Sequence, residues 1–221
     1  MLIPNYRKEY QHPIMINPNS DIQVKSDAPK KPQSPVYAYT LSIINQLWRD
    51  GHPDPALMNR LRTAPTITSH GATDIWPLLF STIDPKYLSH SSKPTKMEIA
   101  IFSALHCYAI YQHGSIKCMN ATGNVSTKFM TTIARFRNQA NNSKPIDRRI
   151  QPLLASIDIS TTIHALYRLI NILHAQGDTT PLDFAALAAD LYYLQFQSTK
   201  DNVILHWGQQ YYATAKSDTN N

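Results

Sequence analysis

The chain predicts an all-α fold built as two small helical bundles, and three observations predict it. From Val36 onward apolar residues recur at spacings of three and four, the period of one helix face. No alternating apolar–polar run persists long enough to make a half-buried strand. Glycine is scarce, six residues in 221, which disfavours a turn-rich all-β chain. The apolar content of 43% is enough for a buried core, and no apolar run is long enough to span a bilayer.

Residues 1–35 read as a basic, Pro-rich, disordered tail. Lys30-Lys31-Pro32-Gln33-Ser34-Pro35 ends it. Such composition buries too little apolar surface to offset the entropy of ordering. Lys8 and Glu9 interrupt any signal-peptide pattern, so a cytoplasmic protein is expected.

The first bundle is expected over residues 36–140. Leu41, Ile44, Leu47 and Trp48 form one apolar stripe, and Gly51-His52-Pro53 stops that helix. A second helix fits Pro55 to Arg62, with Leu57 and Leu61 inward. A third piece, Asp74 to Ile83, carries apolar Trp76, Leu79, Phe80 and Ile83. Thr95-Lys96-Met97-Glu98 has the form of a capping box. The helix after it, to about Gly114, is apolar on most sides and therefore central. Over Val125 to Gln139, Phe129, Ile133 and Phe136 make a core-facing stripe. Lys128, Thr132 and Arg135 make a neighbouring polar one.

The second bundle is expected over residues 141–216, after the polar loop Asn138 to Lys144. Pro145 opens a helix with Arg148 and Arg149, backed by Leu153 and Leu154. Asp158 caps the next helix, whose apolar face is Ile159, Ile163, Leu166, Ile170 and Leu173. Thr161, His164, Arg168 and Asn171 form its polar face, and Gly177 ends it. Thr180-Pro181-Leu182-Asp183 reads as a further helix start, with Pro in the first position. Phe184, Leu187, Leu191 and Leu194 follow at helical spacing. Ile204, Trp207 and Tyr211 mark one face of the last helix, and residues 217–221 form a short tail.

Catalytic chemistry is not expected. Nine histidines are present, but there is no His-Glu-x-x-His and no Cys-x-x-Cys, so no metal or other cofactor is expected. Cys107 sits in an apolar run and reads as a buried reduced thiol. Glu98, Asp183 and Asp190 read as helix-start or surface groups. No Gly-rich phosphate loop or nucleophile elbow exists.

The distinctive feature is charge. Between Lys93 and Arg149 nine Lys/Arg stand against two acids, and Ile99 to Ile146 contains no acid at all. From Ile150 onward six acids stand against three bases. A basic block on a folded segment is an electrostatic footprint for a polyanion. The candidate phosphate contacts are Arg60, Arg62, Lys128, Arg135, Arg137, Arg148, Arg149 and Arg168. Arginine grips phosphate with a two-pronged donor. With no helix-turn-helix, zinc-finger or aromatic-sheet signature, contact with the backbone rather than the bases is expected. An alternative use of the same face is a helical interaction module for acidic protein partners.

Motifs in the second half appear in a distinctive order. Arg148-Arg149-x-x-x-Leu153-Leu154 precedes Leu166-x-Arg168-Leu169-Ile170. Then come Pro181-Leu182-Asp183-Phe184-x-x-Leu187-x-x-Asp190-Leu191 and Trp207-x-x-x-Tyr211-Tyr212. Leu57-Met58-Asn59-Arg60-Leu61-Arg62 and the central helix after Glu98 complete the pattern. From about Val36 to Lys216 the chain resembles the CasB family, the small subunit of the type I-E CRISPR surveillance complex, Cascade. It departs from the family at Val125-Ser126-Thr127-Lys128, where members often carry Ser-Leu-Gly. It departs again at Phe184, where a Trp is common. The resemblance implies a non-enzymatic, all-α subunit of two bundles. It implies crRNA and target DNA as backbone-bound partners, along with the backbone and large subunits of Cascade and a second copy, head to tail. The basic surface would then support the guide–target hybrid and the displaced strand of the R-loop, while base pairing supplies sequence specificity.

Overall fold

The computed structural model describes residues 34–49, 51–122, 128–138, 143–155 and 158–217. The tail before Ser34, Val125 to Thr127, most of the loop expected from Asn138 to Lys144, and the end after Ser217 lie outside the described residues. Among the described residues the architecture is all-α, apart from a two-residue antiparallel pairing of Trp48–Arg49 with His52–Pro53 and a single parallel bridge between Asn120 and Leu182. Gly51, at φ +81°, sits in the turn between those strands.

Helix α1 (Pro35–Leu47) starts on Ser34, whose side chain accepts from the Tyr37 amide. Its buried face is Val36, Tyr37, Thr40, Ile43, Ile44 and Leu47, whereas Leu41 is only half-buried. The stripe is thus rotated from the one expected through Leu41. Thr40 can lie at 0% exposure because its hydroxyl donates to the Val36 carbonyl. Helix α2 (Pro55–Thr63) is capped by Asp54 and buries Met58 and Leu61. Helix α3 (Trp76–Thr82) turns Leu79 inward, with Ile83 buried just after it. Trp76 and Phe80 stay exposed, their rings 5.8 Å apart.

Helix α4 (Lys96–Gln112) is buried on nearly every side, as its uniform apolarity requires. The capping box is complete: Thr95 accepts from the Glu98 amide, and the Glu98 carboxylate accepts from the Thr95 amide. Glu98 also accepts from Ser89 at 3.1 Å and is 3% exposed. It therefore fixes the incoming loop as well as the helix start.

Helix α5 (Phe129–Asn138) buries Phe129, Ile133 and Phe136. Helix α6 (Ser143–Ala155) buries Ile146, Ile150 and Leu153. Helix α7 (Ile159–Ala175) is capped by Asp158 and buries Ile163, Leu166, Ile170 and Leu173. Helix α8 (Phe184–Tyr193) starts later than expected. Asp183 is its N-cap, and Pro181 precedes the helix. Leu182 is held extended by pairing with the strand-like segment after α4: its amide donates to the Met119 carbonyl and its carbonyl accepts from Ala121. Helix α9 (Gln197–Ser217) buries Trp207 and Tyr211.

Helices far apart in sequence pack together. Helix α8 lies on α4 and α1, while α5 lies along α9 and α6. All these helices belong to one compact unit with a continuous apolar core.

Candidate nucleic-acid interface

Helix α6 carries the clearest cationic surface. Ile146, Ile150 and Leu153 fall on its inner side, which leaves Lys144, Arg148 and Arg149 exposed. Asp147 is the one acid of this helix and is turned inward. Its carboxylate accepts from Arg137 Nε at 2.7 Å, Arg137 Nη2 at 3.0 Å and the Tyr211 hydroxyl at 2.6 Å. Arg137, with Tyr211, holds the Asp147 carboxyl below the ordinary range, against the effect of burial. The outward charge of α6 is therefore not cancelled by its own carboxylate. Arg149 Nη1 also donates to the Pro145 carbonyl at 2.7 Å, which steadies it along the helix.

Helix α5 behaves differently from the expected polar stripe. Thr132 is 1% exposed, and Lys128 and Arg135 are half-buried. Arg135 donates to Thr132 at 3.1 Å. Lys128 Nζ lies 3.5 Å from His206 Nε2, on α9, and close enough to Asp190 to favour its ionised form. Arg137 is consumed by the Asp147 pair. The stripe turns inward because α9 and α6 both pack on this ten-residue helix.

The remaining candidates are separate. Arg60 on α2 pairs with Asp74 at 2.7 Å, and Arg62 donates to Asn59 at 2.9 Å. Arg168 is exposed on the outer face of α7, beside His164 and Asn171. A block almost free of acids in sequence thus meets Asp190 in space, and Arg60 meets Asp74.

One group lay outside the sequence-level candidates. The turn after α4 presents His113 and Lys117, both exposed. The His113 ring lies 5.8 Å from that of His174 at the end of α7. Nearby Arg62 helps to hold His113 below the ordinary imidazole range, although slight burial is the larger cause. Lys117 was visible within the basic block; the meeting of α2, α4 and α7 was not.

No group of three or more His, Cys, Asp or Glu among the described residues is placed to hold a metal. His106 is satisfied by the Leu61 carbonyl at 2.7 Å, and burial lowers its pKa. Cys107 is buried, which pushes its thiol up. No described helix is long and apolar enough to cross a membrane.

Asp190 yields a pH prediction. It accepts from Trp207 Nε1 at 2.7 Å, and burial pushes its carboxyl up to about 6. A raised folded-state pKa means that this group favours the folded state most when protonated. Its contribution is complete below about pH 4 and is lost as pH rises through about 6. Asp190→Asn keeps an acceptor for Trp207 and removes the ionisation. Relative to the parent, it should gain about 1–2 kcal/mol at pH 7.5 and nothing at pH 4. Urea denaturation at the two pH values checks this, and an equal difference at both would contradict it.

Residues 58–212 match the family model described as CRISPR-associated protein Cse2. The fold is similar to the crystal structure of CasB from Thermobifida fusca, with a TM-score of 0.61 and 20% identity. That match covers 81% of this chain and 98% of that one. It is similar also to the crystal structure of M. ruber CasB, with a TM-score of 0.58 and 18% identity, covering 85% and 98%. No curated protein matches the chain.

Proposed function

Because the chain belongs to the family of CRISPR-associated protein Cse2, a family of Cascade subunits, we propose that it is the non-catalytic small subunit of a type I-E Cascade. In this reading it binds nucleic-acid backbone without sequence preference and stabilises the guide–target hybrid and the displaced strand. Its partners are crRNA, target DNA, the backbone and large subunits, and a second copy of itself. The observation that carries the reading is the outer face of α6: three exposed cations whose only acidic neighbour on that helix points inward. Arg148 and Arg149 lead the contacts, with Arg168, Arg62 and Arg60 as further members. Lys128, Arg135 and Arg137 contribute mainly to the field, since their side chains already have partners within the fold.

Backbone binding of this kind is weak in isolation, with a Kd on the order of 10⁻⁴–10⁻⁶ M, and steeply salt-dependent. In anisotropy titrations with duplex DNA between 50 and 200 mM salt, Arg148→Ala/Arg149→Ala should weaken binding. The log–log salt slope should become shallower by about 0.9 per lost contact. Unchanged affinity and slope would remove this face from the interface. Retention of an acidic protein with no nucleic acid at low salt would favour a protein-docking module instead.

A further inference from the structure

We propose that the turn between α4 and Met119 is a second nucleic-acid contact, in which Ile116 acts as an apolar wedge between unstacked bases while Arg62 and Lys117 hold the flanking phosphates, with the His113 and His174 rings at the ridge between them. The inference rests on the nucleic-acid reading above and deepens it.

Ile116 is 91% exposed, and the next most exposed large apolar side chain among the described residues, Leu205, is at 61%. A single exposed Ile on a loose loop would mean little. This one is held out by a braced backbone. Gln112, at the end of α4, is 2% exposed, and its side chain serves the turn. Its Nε2 donates to the Ser115 carbonyl at 3.0 Å and the Lys117 carbonyl at 2.8 Å, and its Oε1 accepts from the Met119 amide at 2.8 Å. The Ser115 hydroxyl donates to the Lys117 carbonyl and accepts from the Lys117 amide, closing a bridge under Ile116. Gly114, at φ +77°, lets the chain reverse into the turn, and an added Cβ there would strain it. Beyond the turn, Met119 is buried and pairs with Leu182. Both sides of Ile116 are therefore anchored to the core, and its exposure is pre-organised.

The surroundings select the occupant. His113, Gly114 and Ser115 form a ridge between two open grooves of about 490 and 370 Å³. Arg62 lines the first, and Lys117 and His174 line the second. His174 Nε2 lies 2.9 Å from the His113 carbonyl oxygen, which places both rings at the ridge. Among the described residues, the one acid lining either groove is Asp178, whose Oδ1 accepts from the Thr180 amide at 2.8 Å. A ridge that offers an apolar tip between the cations Arg62 and Lys117 suits a strand with an anionic backbone and separable bases. An apolar protein partner would leave those cations buried without counter-charges.

The test uses the full chain and a single-stranded DNA carrying 2-aminopurine at interior positions, whose fluorescence rises when a base loses its stacking. The parent should raise that fluorescence on binding. Ile116→Ser, at an exposed position that leaves the fold untouched, should abolish the rise and weaken binding about five- to tenfold, with the salt slope unchanged. Lys117→Ala should instead make the slope shallower and keep the fluorescence rise. If Ile116→Ser binds with the parent's affinity and fluorescence, the wedge is refuted while the α6 interface stands. If the parent binds no nucleic acid, both readings fall together.

Discussion

Trp207→Ala is expected to cost about 4–5 kcal/mol, a large part of the roughly 5–15 kcal/mol that holds a domain of ordinary stability folded. Two effects combine. The indole is 1% exposed, so its removal leaves a cavity among the helices that α9 closes. Its Nε1 is also the donor to Asp190, and truncation leaves that carboxyl buried without it. Trp207→Phe separates the two effects. It keeps most of the packing and should cost about 1–3 kcal/mol. It should also raise the Asp190 pKa further, because a hydrogen bond to the ionised form is lost. Urea denaturation of both variants checks this. A Trp207→Ala protein within 1 kcal/mol of the parent would mean that α9 does not close the core as described.

The second large effect belongs to Asp147. Its carboxylate ties α5 to α6 through Arg137 and α9 to α6 through Tyr211. The side chains of Arg137 and Asp147 are 26% and 30% exposed, so the pair is partly screened and worth less than a buried one. Asp147→Ala should destabilise by about 2–3 kcal/mol, mostly by leaving Arg137 and the Tyr211 hydroxyl without their acceptor. A double-mutant cycle with Arg137→Ala should return a coupling of about 1–2 kcal/mol. The depressed Asp147 pKa adds a sign: its contribution is present above the ordinary carboxylate range and is lost as pH falls through its lowered value. Its acid dependence is therefore opposite to that of Asp190. Arg137→Ala should lower stability while leaving the DNA salt slope nearly unchanged, the reverse of Arg148→Ala/Arg149→Ala. A near-zero coupling would contradict the role given to this pair.

Much of the fold can be read from local pattern. The capping box at Thr95, the Asp158 cap and the repeat Phe184, Leu187, Leu191 and Leu194 each depend on a few neighbouring residues, and the structure contains each of them. Long amphipathic helices are legible because burial of one face imposes a period of 3.6. Where a helix is covered from two sides, that logic weakens. Helix α1 buries Thr40 and Ile43 rather than Leu41, and α5 buries Thr132, because helices distant in sequence pack on them. Pro181 precedes α8 because Met119, more than sixty residues earlier, pairs with Leu182.

The candidate interface divides in the same way. The excess of cations between Lys93 and Arg149 is a property of the residues in order, and so is the placement of Arg148 and Arg149 on one short helix. Which cations keep their charge for a ligand depends on partners brought from elsewhere in the chain. Asp74 meets Arg60 and Asp190 comes near Lys128, while Asp147, a close sequence neighbour of Arg148, turns away to Arg137. Charge acts through space over a few ångströms, and sequence separation says nothing about that distance. Helix class and total charge are consequently decided by local composition, and the neutralisation of single cations and the exposure of Ile116 by tertiary packing.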